Sequence, residues 1–147
     1  MIAVFRFRAE DAYNMDWIER DDFINMLRGN RYCFDYIEQE GITSTLFNED
    51  TEHILGFIRV EEIHDNSCNI TMCMSTALQE EFSKDVFKTL RRIVRQATDT
   101  YRRVSLCGKA SNSKLMKLIK KLGFQEEGIM RKYGWHGEDY KLFSIVR

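Results

Sequence analysis

Proline is absent from all 147 residues. Average usage would place about seven in a chain of this length, so Gly, Asn and Asp must build the turns. Long apolar runs are missing too: nothing approaches the roughly 20 residues that span a bilayer. Met1 to Arg6 has no apolar h-region and no small-residue cleavage site. No secretory leader is expected from that start, and the cytoplasm is the expected location. An excess of one charge is also lacking. The 22 Lys and Arg against 23 Asp and Glu leave a formal net charge of −1, without the net basic field of a general nucleic-acid binder. Cys33, Cys68, Cys73 and Cys107 form no C-x-x-C pair and have no histidine at zinc-finger spacing. They read as reduced, mostly buried thiols, and no metal is expected.

What is present is enough for one core. Hydrophobic residues make up 44% of the chain, with 10 Phe, 6 Tyr and 2 Trp, at a length near the common single-domain size. No repeat or linker divides residues 1–147, so a single domain is expected. Ile2 to Arg8 alternates as a first strand. Ala9-Glu10-Asp11 opens a helical region carrying Trp17, Ile18, Phe23, Ile24, Met26 and Leu27, broken at Arg28-Gly29-Asn30. A second helix, Arg31 to Glu40, ends at Gly41, which suits a left-handed C-cap. Strands follow over Ile42 to Phe47, His53 to Ile63 and Cys68 to Met74. The short turns between them imply an antiparallel meander.

Thr76 and Gln79 fit a capping box. The helix after it places Phe82, Val86, Leu90, Ile93 and Ala97 at helical spacing, widened by Phe87 and Val94. Val104 to Cys107 is a short strand. Asn112 starts a helix with Leu115, Leu118, Ile119 and Leu122 inward, closed by Gly123. Two last strands, Phe124 to Tyr133 and Asp139 to Val146, are joined at His136-Gly137. The predicted order is β-α-α-β-β-β-α-β-α-β-β. It implies an α/β fold with a mixed, mostly antiparallel sheet, helices on both faces and one parallel crossover.

This order resembles the GCN5-related N-acetyltransferase (GNAT) superfamily, and the carboxyl third carries the sequence likeness. The run Asn112 to Phe124, ending Leu122-Gly123-Phe124, looks like the family's Asn-led helix. Gln125-Glu126-Glu127-Gly128 with Met130-Arg131, then Gly137-Glu138-Asp139-Tyr140 and Phe143-Ser144, look like its last two strands, closest to the ribosomal-protein N-acetyltransferase branch. The resemblance implies acetyl-CoA as co-substrate. It implies cofactor contacts from Cys73, Met74 and Ser75 at the end of the central strand, from Ser83 and Lys84 in the stretch after it, and from Asn112.

The chain departs from the family at two places. Family enzymes bind pyrophosphate on a glycine-rich loop, where exposed N–H groups and a helix dipole attract the anion. The matching stretch, Ser75 to Asp85, has no glycine, and Glu80 and Glu81 would stand near the anion, where like charge is unfavourable. The place of the family's proton-donating Tyr, one residue after Leu118, is Ile119. Glu61, Glu62, His64, Glu38 and His136 are candidate general bases by residue type, and each also suits an ordinary solvated surface.

A second likeness is to a GNAT-like group encoded by short-tailed phages. The residues that carry it are Val86 to Arg95, Asp99-Thr100-Tyr101, Asn112 and Leu122-Gly123-Phe124. That likeness implies a virion-associated or head-assembly component, located in the host cytoplasm or the virion, with protein partners and little or no catalysis. The alternative is an acetyl-CoA-dependent N-acyltransferase acting on a protein or small-molecule amine. A third reading uses the cations Lys84, Lys88, Arg91, Arg92 and Arg95 as a binding face for an acidic partner, nucleic acid being the less expected one. The same pattern also suits a plain solvated helix face.

Overall fold

A computed structural model describes residues 1–15, 33–134 and 136–147. The apolar positions expected between Trp17 and Leu27, the break at Arg28-Gly29-Asn30, the helix start at Arg31, and Trp135 lie outside the described residues. The described elements run β1 (Ile2–Arg6), α1 (Ala9–Asn14), α2 (Cys33–Glu40), β2 (Thr43–Asn48), β3 (His53–His64), β4 (Ser67–Met74), α3 (Thr76–Glu81), α4 (Lys84–Thr100), β5 (Arg103–Lys109), α5 (Ser113–Lys121), β6 (Gln125–Met130) and β7 (Tyr140–Val146). The strands form one seven-stranded sheet in the order β1-β2-β3-β4-β5-β7-β6. The sheet is mixed. β1–β2, β2–β3, β5–β7 and β6–β7 are antiparallel, while β4–β5 is parallel. The parallel ladder covers only Ser67–Asn69 with Arg103–Ser105, although both strands run on.

The chain divides into two compact units. The first is Met1–Val60 with Met72–Thr89, and the second is Glu61–Thr71 with Leu90–Arg147. In the first unit, β1 stops at Arg6, two residues short of the expected end. Phe7 still donates its N–H to Thr43 O at 3.1 Å. The backbone N–H of Arg8 then turns to Asp11 Oδ2 at 3.2 Å, which starts α1. Phe7, Ala12, Met15, Ile37 and Phe57 form the buried cluster of this unit, with Phe34, Ile54 and Cys73 packed against it. α2 ends at Gly41, whose φ of +72° is the expected left-handed cap.

In the second unit, β7 pairs with β5 along the whole strand and with β6 across a bulge at Glu127. Phe143 and Val104 are fully buried there. Helix α5 packs on β5 at Gly108, where an added Cβ would lie 2.9–3.2 Å from Met116, Leu115 and Ile119. Gly123, at φ +102°, closes the helix as expected.

One expected helix is two. Phe82 has an extended conformation (φ −64°, ψ 119°) that ends α3, and α4 starts afresh at Lys84. Val86, Leu90, Val94 and Ala97 are the buried apolar positions of α4, and Phe82, expected in that apolar stripe, is 45% exposed.

Candidate functional site

The expected cofactor residues Cys73, Met74, Ser75, Ser83 and Lys84 all fall in the first unit. The side chain of Cys73 is packed rather than ionised. It lies against the Phe7–Phe57 cluster, and burial pushes its thiol up to about 12, so it stays protonated at neutral pH. Ser75 is buried, with both polar groups committed. Its N–H donates to Leu55 O at 2.9 Å, and its Oγ accepts from Leu78 N–H at 3.3 Å. Ser75 is therefore the N-cap of α3, one residue before the expected Thr76. Leu78 rather than Gln79 sits at N3, and the expected capping box does not form.

The Ser75 bond also orients the strand. Backbone groups of successive strand residues point to alternate sides. With Ser75 N–H directed at β3, the N–H of Met74 points to the opposite side of β4. The approach of β3 to β4 is close here: a Cβ on Gly56 would lie 2.3 Å from Cys73 O.

A second cap follows. Ser83 Oγ accepts from Val86 N–H at 3.3 Å, and Ser83 O accepts from Phe87 N–H at 3.0 Å. These bonds start a 17-residue helix, whose first two N–H groups, those of Lys84 and Asp85, have no partner within a helix. Lys84, Asp85 and Ser83 are exposed.

Glu81 does not face that helix start as a free charge. Its carboxylate accepts from Asn48 Nδ2 at 2.8 Å and from Thr51 Oγ1, and meets His53 Nδ1 at 2.6 Å. The like charge expected beside a bound anion is in this case tied into the β2–β3 turn. Burial pushes the Glu81 carboxyl up. Hydrogen bonds from Thr51, His53 and Asn48 and the His53 charge outweigh it and hold the group below the usual carboxylate value. A depressed carboxyl contributes stability above its unfolded value, and that contribution is lost as pH falls through the folded value. Glu127, held low by Arg103, and Glu126, held low by Lys141, act in the same direction. The melting temperature is expected to fall as pH drops from about 5 to about 3, and Glu81→Gln to flatten part of that limb while lowering the melting temperature at neutral pH. Thermal melts across pH check this; an unchanged slope in the variant would refute it.

Asn112 belongs to the second unit, where its Oδ1 accepts from Leu115 N–H at 3.0 Å and caps α5. Ile119 is fully buried, so the place of the family's proton donor is filled by core. Glu62 accepts from Tyr101 OH at 2.7 Å, which raises the tyrosine. His64 Nδ1 accepts from Asn66 N–H at 3.3 Å. Glu38 offers its carbonyl, not its carboxylate, to Arg6. His136 donates its backbone N–H to Glu138. Cys68 is buried, but Cys107 is exposed, against the expectation of mostly buried thiols. Among the described residues no group of three or more His, Cys, Asp and Glu is placed to hold a metal ion, and no helix is long and apolar enough to cross a membrane.

Sequence reasoning missed the polar groups that organise the first unit. These are buried Asp11, the Arg59–Glu40 pair with bonds of 2.7 and 3.0 Å, and the convergence on Glu81. Apart from the local Arg8–Asp11 bonds, their partners lie 19 to 34 residues apart, beyond any local pattern.

By sequence the chain matches no protein-family model and no curated protein. By structure it matches many acetyltransferases. A GNAT-family acetyltransferase from Bacillus anthracis superposes with a TM-score of 0.68 at 13% identity, over 99% of this chain and 94% of that one. The ribosomal-protein-S5-alanine acetyltransferase of Vibrio fischeri gives 0.65 at 15%, over 99% and 92%. A variant of the spermidine N-acetyltransferase of Vibrio cholerae gives 0.65 at 15%, over 99% and 94%. At these identities the likeness shows the fold: this chain has the GNAT acetyltransferase fold.

Proposed function

We propose that this GNAT-fold chain binds an acyl-coenzyme A and transfers the acyl group to an amine. The observation that carries the proposal is the fresh helix start at Ser83–Lys84, with the neighbouring Glu81 carboxylate drawn into the β2–β3 turn. A long helix beginning with a lysine offers a positive dipole end, unpaired N–H groups and a cation. Those features suit a pyrophosphate without glycines. Asp85 beside it opposes the anion, which predicts a modest affinity.

The chemistry follows from the groups at the end of β4. A neutral amine attacks the thioester carbonyl carbon and forms the C–N bond. The oxygen gains charge, and a backbone N–H aimed at it stabilises that charge. Of the three residues expected there, Ser75 has its N–H committed to Leu55, and strand alternation turns the Cys73 N–H to that same side, which leaves Met74 as the donor we assign. The intermediate collapses by breaking the C–S bond; coenzyme A leaves as thiolate and the amine loses its proton to solvent. Asn112 in this reading is a structural cap.

The test is isothermal titration with acetyl-CoA and with coenzyme A. Micromolar binding is expected, weakened about tenfold or more by Lys84→Glu, since reversal replaces attraction by repulsion at one helix end. No binding at millimolar ligand would overturn the proposal. A second reading then takes its place, a fold kept for assembly, phage-type in pattern, without turnover. It draws on the absence of glycine from Ser75 to Asp85 and on the buried, apolar Ile119.

A further inference from the structure

The exposed face of α4 is more than a polar cover. Lys84, Lys88, Arg91, Arg92 and Arg95 are all exposed. At 3.6 residues per turn they fall within an arc of about 100° and form a single row about 16 Å long. Five pairs stand three or four residues apart, Lys84–Lys88, Lys88–Arg91, Lys88–Arg92, Arg91–Arg95 and Arg92–Arg95, and each is a like-charge neighbour pair, which destabilises a helix. Lys84 also sits at the positive end of the dipole, where a cation is unfavourable. The acids on the helix, Asp85 and Asp99, are at its two ends, and none of the five cations forms an ion pair with a described residue. A solvated helix needs a polar face, but alternating charge would serve that need better. This row works against the helix that carries it.

We infer that the row is a docking surface for a short acidic segment of a partner protein, with carboxylates at matching helical spacing. Length and charge select that partner over a nucleic acid. The segment Lys84–Arg95 holds five of the chain's 22 Lys and Arg and one of its 23 Asp and Glu, so the rest of the chain is acidic on balance. A polyanion longer than the row gains little from the remainder of a chain that is acidic on balance. A short segment of similar length stays on the row, and three arginines can each grip a carboxylate with two parallel bonds.

The experiment is fluorescence anisotropy of the intact protein with a short labelled peptide carrying glutamates at the four-three-four spacing of Lys84, Lys88, Arg91 and Arg95. A peptide of the same composition with its glutamates contiguous, and a single-stranded oligonucleotide of equal charge, are the comparisons. At about 150 mM salt, where diffuse attraction is largely screened, the spaced peptide is expected to bind about fivefold tighter than the contiguous one. Arg91→Glu with Arg92→Glu should weaken it about tenfold or more. Circular dichroism checks that this pair of exposed substitutions leaves the fold intact, and Lys88→Gln with Arg95→Gln is the milder second variant. No binding by the wild type, or equal binding by both variants, overturns the inference. An oligonucleotide that binds more tightly than the peptide overturns the acidic-protein assignment in favour of nucleic acid. Coenzyme A binding has no part in the readout, so the result stands whatever the fate of the acyltransferase proposal.

Discussion

Replacing Gly56 with alanine is expected to destabilise the protein by about 3 kcal/mol, at the upper end of what overpacking costs. Gly56 lies in β3 between Leu55 and Phe57, all of them buried. Its added methyl would sit 2.3 Å from Cys73 O and 3.3 Å from Cys73 C and Met74 Cα. These are backbone atoms, so no rotamer change relieves the clash; β3 and β4 must move apart. That separation strains the Ser75 N–H bond to Leu55 O and with it the cap that starts α3. Gly128 is the control, since a Cβ there meets nothing within 4 Å, and its alanine variant should fall within about 0.5 kcal/mol of wild type. Urea unfolding of the two variants side by side decides the matter. Equal stability of Gly56→Ala and wild type would show that the strands can separate without cost.

Asp11→Ala is expected to cost about 2–3 kcal/mol, because it strands buried donors rather than merely deleting a contact. Asp11 is 4% exposed. Its carboxylate accepts from Thr45 Oγ1 at 3.2 Å, from the Arg8 N–H at 3.2 Å and from Arg8 Nη2 at 3.4 Å. Thr45 is fully buried, so its hydroxyl has no water to turn to once the carboxylate is gone. Asp11→Asn keeps a carbonyl oxygen there and should cost less. In the double variant Asp11→Ala with Thr45→Val both partners are removed, so the loss should be smaller than the sum of the singles, a coupling that a double-mutant cycle reads directly. Additive losses would mean that the Thr45 bond contributes nothing.

Local pattern carried most of the strands and the whole of α5, because the determinants lie within a few residues of each other. Asn112 reaches Leu115, and Leu118, Ile119 and Leu122 recur at helical spacing before Gly123. The break at Phe82 was illegible for the same reason. Phe82, Val86, Leu90 and Ile93 keep helical spacing straight through it, and Ser83 is an unobtrusive cap in a chain with no proline to mark an interruption. The candidate site was legible as a stretch but not as an arrangement. Glu81 reads as a free charge until Asn48, Thr51 and His53 arrive from the β2–β3 turn, and Ser75 reads as a plain strand end until Leu55 and Leu78 engage its N–H and its Oγ. Asp11 sits where any acidic residue suits the first turn of a helix; only the return of β2 shows that it is buried.

The division of the chain has a consequence for its synthesis. The first unit is left at Val60 and resumed at Met72, and the second begins at Glu61, breaks off, and resumes at Leu90. A growing chain therefore cannot complete the first unit until Thr89 has left the ribosome, by which time Glu61–Thr71 of the second is also present. Proteolytic nicking at one point inside either unit's interruption would cut a segment from both. Interleaved units of this kind raise the mean separation of contacting residues, and such topologies fold slowly. A chain cut after Thr89 would hold all of the first unit together with Glu61–Thr71 of the second, so no single truncation separates the two cleanly.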